Sequence, residues 1–151
     1  MRGVMYAAIV WAVMLLGGCT SAPSREKIAA ADYGPEPTNT EQLVRDHLRG
    51  MLKDPDSVKE LHVMPTTRGF FQYNAYAPIQ YGWLCPVTFN AKNSFGGYVG
   101  TKLYLALIRN NEVLQFADGQ YVSKETGVLG GGAFGKGCHL YGFADETKAP
   151  K

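Results

Sequence analysis

Helical spacing is clearest between residues 43 and 52. Leu43, Val44, His47, Leu48, Met51 and Leu52 share one side of a 3.6-residue repeat, and Arg45, Asp46, Arg49 and Lys53 share the other. Thr38-Asn39-Thr40-Glu41 fits a capping box, with the Thr38 hydroxyl available to the Glu41 amide. Asp54-Pro55 ends the run, because proline disfavours helix at the residue before it. The spacing predicts a helix from about Asn39 to Lys53, followed by an Asp54-Pro55-Asp56-Ser57 turn.

Beyond that turn the period changes to two. Val58–Met64 reads as a first strand, Thr66–Gly69 as a turn and Phe70–Asn74 as a short second strand. Tyr81, Trp83, Cys85, Val87 and Phe89 give the strongest alternation in the chain, over Tyr81–Asn90. Pro86 has no N–H for a ladder, so that strand is expected at an edge or bulged. Val99–Arg109 alternates through Val99, Leu103, Leu105 and Leu107. Asn110-Asn111 supplies a hairpin turn, since Asn tolerates positive φ, and Glu112–Ala117 returns. Asp118-Gly119 is a further turn signal, and Gln120–Val122 a short strand. Tyr104, Ala106 and Ile108 make the other face apolar too, so the helix should cover part of the sheet. The predicted fold is α+β: one N-terminal helix packed on a small antiparallel meander of four or five strands.

Composition narrows the function classes. Hydrophobic residues are 46% and charged ones 19%, an ordinary globular balance. The formal charge of +2 gives no footing for a nucleic-acid partner. At the front, Arg2 precedes an apolar run from Val4 to Leu16. Its 13 residues are too few for a helix to span a bilayer, which takes about 20, but they suit a signal-peptide core. Leu16-Gly17-Gly18-Cys19 follows and resembles the lipobox of bacterial lipoproteins. The resemblance implies cleavage before Cys19 and acylation of that residue, palmitate included. More than one chain makes a stable anchor, at ~0.8 kcal/mol per buried CH₂. Thr20 in place of Asp resembles the outer-membrane sorting signal of enterobacterial lipoproteins. Cleavage removes one arginine and leaves a charge of about +1, too small to steer a partner. The expected organisation is a leader over 1–18, lipidated Cys19 with a flexible tether to 37, a globular domain over 38–143 and a disordered tail over 144–151. A short helical turn within the tether is expected at Arg25–Ala31.

Lipid takes Cys19 and leaves Cys85 and Cys138, an even pair in an oxidising compartment. A disulfide between them would close a loop of about 54 residues, worth on the order of 4 kcal/mol in chain entropy. A catalytic thiol is the sharper alternative, but Cys85 lies in a strand, not at a helix N-terminus that would lower its pKa. His139 is adjacent to Cys138, and neighbours on a strand point to opposite faces. His47, His62 and His139 have no metal-motif spacing, so no metal and no cofactor is expected. His47 reads as a helix residue packed against the sheet. Residues 127–142 hold seven glycines. Within them Gly130–Gly137 nearly fits a phosphate-binding loop, but Gly137 has no hydroxyl for Mg²⁺. This segment reads as a loosely packed loop.

Two stretches carry a family resemblance: Leu52-Lys53-Asp54-Pro55-Asp56-Ser57 and Asn90-Ala91-Lys92-Asn93-Ser94-Phe95-Gly96-Gly97-Tyr98-Val99-Gly100. The chain resembles small proteobacterial and prophage-associated envelope lipoproteins with an L-K-D-P-x-S turn and an N-A-K-N-S-x-G-G-Y-x-G motif. The likeness spans roughly residues 40–110 and implies no particular activity. Read from its residues, the second motif is a loop between two long strands. Asn90, Lys92, Asn93, Ser94, Phe95 and Tyr98 are its candidate binding groups. The alternative is a self-satisfied loop, with Asn side chains bonded to local backbone.

The leading function class is therefore a non-catalytic envelope lipoprotein. Its membrane partner is reached through the acyl chains on Cys19, and its second partner is an envelope protein or glycan. A narrower version is an inhibitor of a cell-wall lytic enzyme, or an exclusion factor. The competing class is an exported hydrolase using Cys85 or Ser94 with His47, His62 or His139. No nucleophile elbow or paired-carboxylate spacing supports it.

Overall fold

The computed structural model describes residues 23–73, 77–119, 128–130 and 140–144. A short helix, α1 (Arg25–Ala30), starts at Ser24, whose Oγ accepts the Lys27 amide at 3.4 Å. The amphipathic helix α2 spans Thr40–Met51. Its N-cap is Asn39, with no side-chain cap bond, so the expected capping box does not form. The Thr38 amide instead donates to the Asn111 side-chain oxygen at 3.4 Å. The start of α2 is thereby fixed by a residue 73 positions away, not by a local cap. Arg45–Glu41 and Arg49–Asp46 pair along its outer face at 2.7 and 2.8 Å. A single 3₁₀ turn, Pro55–Ser57, then leads into the sheet.

The class is α+β, and the sheet is antiparallel. Its strands are β1 (Lys59–Val63), β2 (Thr67–Gln72), β3 (Gln80–Asn90), β4 (Lys102–Arg109), β5 (Glu112–Asp118), β6 (Val128–Gly130) and β7 (Leu140–Phe143). The order is β5-β4-β3-β2-β7-β6, with β1 also on β3. Strands β1–β5 answer to the four or five expected, and the short β6 and β7 extend the sheet. The two additions come from the tail read as a loop, and they break the simple meander. Gly142 shows why that tail carries glycine: a Cβ there would meet the Phe70 ring at 2.4 Å. Pattern rules that look for alternating side chains have little to read in such a strand. The expected strand Gln120–Val122 lies outside the described residues.

β3 is the spine of the sheet and is not an edge. β4 pairs with one side of it, and β1 and β2 lie end to end along the other. Strand β2 begins at Thr67, where a turn was expected, because the break falls earlier, at residues 64–66. This break accommodates Pro86. The Met64 amide donates to the Pro86 carbonyl at 2.9 Å, but Pro86 has no N–H to return. The Cys85 thiol donates to the Met64 carbonyl instead, at 3.1 Å. β3 itself is neither an edge nor bulged at Pro86, which stays in register with Leu105; the facing side instead has the gap between β1 and β2.

Cys85 is fully buried, and the disulfide expected of it also needs Cys138. Cys138 itself lies outside the described residues, but Leu140 pairs with Gln72 at the far end of β2. Phe71 is level with Gln80, so Cys85 lies at least about 17 Å along the sheet from Leu140, at ~3.3 Å per residue.

Each sheet face buries its own cluster. Cys85, Val87, Phe89, Ala106 and Ile108 pack under Val44 and Leu48 of α2. Phe71, Leu84, Leu105 and Leu107 form the opposite cluster. Burial of each such aliphatic side chain contributes roughly 1.5–3 kcal/mol. His47 stacks beside Phe116, with ring centroids 5.2 Å apart, as its place on the apolar side of α2 suggests.

The segment before α2 is part of the domain. Tyr33 is buried, donates its hydroxyl to the Ile28 carbonyl and meets Tyr81 edge-on at 5.8 Å. Trp83 Nε1 donates to the Gly34 carbonyl at 3.2 Å. Arg109 donates to the Asp32 carbonyl, the Asp32 carboxylate and the Tyr81 carbonyl, at 2.7, 2.7 and 3.0 Å. The expected tether to residue 37 is thus docked from Ile28 onward, and the domain begins before residue 38. Charge and proline made this stretch read as linker, while its anchors are single residues without a period.

Candidate functional site

At the end of β3 the chain leaves the sheet through Asn90 and returns at Lys102. The expected start of β4 at Val99 moves to Lys102, because Gly100 has φ +88°. The Gly100 amide donates to the Asn90 side-chain oxygen at 3.1 Å and closes the base of the loop. Lys92 and Tyr98 form a backbone bridge above it. At the tip, the Asn93 side-chain oxygen accepts the Phe95 and Gly97 amides at 2.9 and 3.1 Å. The Asn93 amide donates to the Gly97 carbonyl at 2.8 Å, and Gly96 takes φ +82°. Glycine suits both turns, since positive φ costs a side-chain-bearing residue about 1 kcal/mol or more.

The loop is braced by the other sequence motif. Ser57, buried in the 3₁₀ turn, donates its hydroxyl to the Asp54 carbonyl at 2.6 Å and accepts the Lys92 amide at 3.1 Å. The Asp54 carboxylate stands 3.6 Å from Lys92 Nζ. The two stretches of the family resemblance therefore meet in space. Lys59 Nζ lies 4.5 Å from the Tyr98 ring centroid, and Lys92 Nζ 5.8 Å from it. Glu60, at φ +54° in the β1 bulge, accepts the Thr101 hydroxyl at 2.7 Å.

The amide oxygens of Asn90 and Asn93 are thus used locally, while the apolar groups face outward. Phe95 is 96% exposed, Val99 50% and Tyr98 40%. Asn90, Lys92, Asn93 and Tyr98 come together as expected, and Ser94 and Phe95 crown the tip. Lys59, Val99 and the Ser57 brace were missed. Ser57 had a signal in the L-K-D-P-x-S turn, while Lys59 reaches Tyr98 only because of the β1–β3 register.

Other chemistry is sparse. Burial pushes the Cys85 thiol up to about 12, opposed weakly by its hydrogen bond to Met64, which is the reverse of an activated nucleophile. Desolvation lowers the His47 pKa. His62 is exposed on β1, Ser94 is exposed at the tip, and no described hydrogen bond joins Ser94 to a histidine. His139 lies outside the described residues. Among the described residues no group of three or more His, Cys, Asp or Glu could hold a metal ion. A groove of about 230 Å³ runs between α2 and the 3₁₀ turn, with Leu48, Val58 and Leu61 in its wall and Arg45 and Arg49 at its rim. Both arginines are paired along α2. No protein-family model, curated protein or solved structure matches this chain.

Proposed function

We propose that this chain is a lipid-anchored protein of the bacterial envelope whose domain binds a partner and has no catalytic step of its own. The fold in this reading is one N-terminal helix, α2, packed on a small antiparallel sheet. The lipobox resemblance at Leu16–Cys19 supports the anchor, and Thr20 supports the outer membrane. The observation that carries the binding role is Phe95, almost wholly solvated on a loop whose amide oxygens are already bonded. The hydrolase alternative has no assembled constellation among the described residues to carry it.

The shape of the tip favours one narrower reading. A convex turn with an aromatic apex suits entry into another protein's cleft. An inhibitor of a cell-wall lytic enzyme, or an exclusion factor, would work in this way.

Two measurements test the proposal. Mass spectrometry of the purified full chain should find acyl chains on Cys19, and Cys19→Ser should abolish them. Unmodified Cys19 in a soluble protein ends the anchor reading. Affinity purification from envelope extracts should recover a partner with the wild-type chain and lose it with Phe95→Ser. Equal recovery by both removes the loop from the binding surface.

A further inference from the structure

The chain enters the sheet at one end of β3 and displays Phe95 and Tyr98 at the other. At the entry end Arg109 holds Asp32 and the Tyr81 carbonyl, and Trp83 holds Gly34. Tyr81 and Asn90 lie nine positions apart on β3, roughly 30 Å at ~3.3 Å per residue. Helix α2 runs in the same direction, from Thr38 beside Asn111 to Asp54 beside Lys92. Only eight residues separate Cys19 from Ile28, where Tyr33 fixes the chain. Acyl chains on Cys19 would therefore keep the entry end at the bilayer.

We infer that the Asn93–Tyr98 turn is a membrane-distal knob that seats Phe95 in an apolar pocket of a second protein, with carboxylates at the pocket rim meeting Lys59 and Lys92. The membrane-distal part rests on the lipid anchor proposed above. The knob part does not. Three observations select a protein socket. The tip is convex, and Phe95 is open on nearly all sides, the form of a buried aromatic anchor before it binds. A sugar-binding platform needs free acceptors beside a flat ring, but the amide oxygens of Asn90 and Asn93 are committed to backbone amides. The protein's own bilayer lies at the opposite end. Charge sets the rim. The Lys59 and Lys92 ammoniums flank Tyr98, and Lys59 has no carboxylate partner among the described residues. Asp54 only partly offsets Lys92, at 3.6 Å.

The test places a photoreactive benzoylphenylalanine at position 95 of the full chain in the intact envelope. Position 112, exposed at the start of β5 at the entry end, is the control. Illumination should join position 95 to a protein, and Lys59→Glu with Lys92→Glu should cut that adduct at least about tenfold while the melting curve stays in place. Position 112 should yield no such adduct. A phospholipid or glycan adduct at position 95, no adduct there, or one indifferent to the charge reversal overturns the knob. The mass of the Cys19 peptide from the same cells separates the two parts. A protein adduct with unacylated Cys19 overturns the membrane-distal placement and the anchor together, and leaves the knob standing.

Discussion

The two ends of β3 spend their aromatic residues in opposite ways. At the entry end Tyr33, Tyr81 and Trp83 are packed together, and Arg68 lies over the Tyr33 and Trp83 rings at 5.7 and 5.6 Å. The Tyr33 hydroxyl and the Trp83 indole N–H find backbone carbonyls, as packed Tyr and Trp require. At the loop end the polar groups are satisfied just as well, but Phe95, Tyr98 and Val99 are left in water. The entry end is tied by long-range contacts and stabilises the fold, with Tyr73 exposed beyond β2. The loop end is equally well bonded, and its exposed aromatic is the group that the proposed partner would cover.

This contrast predicts unequal costs. Tyr33→Ala should destabilise most, by about 3 kcal/mol, because it removes a buried aromatic and its hydrogen bond. Urea unfolding would measure it, and a loss below ~1 kcal/mol would mean the entry segment is only loosely laid on the sheet. Ser57→Ala should cost roughly 1–2 kcal/mol, since it leaves the Lys92 amide without its acceptor at a partly buried site. Its amide-exchange effect should appear in residues 92–98 and be absent near Trp83. Uniform loss of protection would show that the brace supports the whole sheet.

A smaller, pH-dependent effect comes from His47. Its pKa lies below the ordinary 6.5 because burial beside Phe116 disfavours the charged ring. The unfolded chain therefore binds more protons in that window. Stability from neutral His47 is complete above about pH 6.5 and is lost as pH falls towards and through the lowered folded value. His47→Phe should flatten that part of the stability–pH curve. An unchanged slope in the variant would assign it to another group.

The sequence made α2, β3 and the β4–β5 turn legible because each depends on local spacing or local backbone preference. Asn110 and Asn111 both take positive φ, 53° and 59°, as a two-residue hairpin turn requires. Three features were illegible for physical reasons. The docking of Asp32–Gly34 depends on Arg109, 77 positions away from Asp32. The β2–β7 pairing needs a glycine where Phe70 fills the space, so it removes the pattern that would announce it. The break opposite Pro86 falls in the partner strand, so the proline signalled a defect but not its position. For the site, the sequence identified the loop but not which groups face out. The asparagines looked like binding groups, yet their amide oxygens hold the turn. Cys85 is fully buried, so the intact protein should leave it unmodified by a thiol reagent until it is unfolded, and ready labelling of the folded chain would contradict that burial.

The most direct test of the contrast is the melting curve of the Phe95→Ser/Tyr98→Ala variant beside those of wild type and Tyr33→Ala. Exposed changes cost under ~0.5 kcal/mol each, so the loop variant should melt within a few degrees of wild type, far above Tyr33→Ala. A fall in the loop variant as large as that of Tyr33→Ala would mean the aromatics at both ends are scaffold, and the loop would no longer stand as a recognition surface.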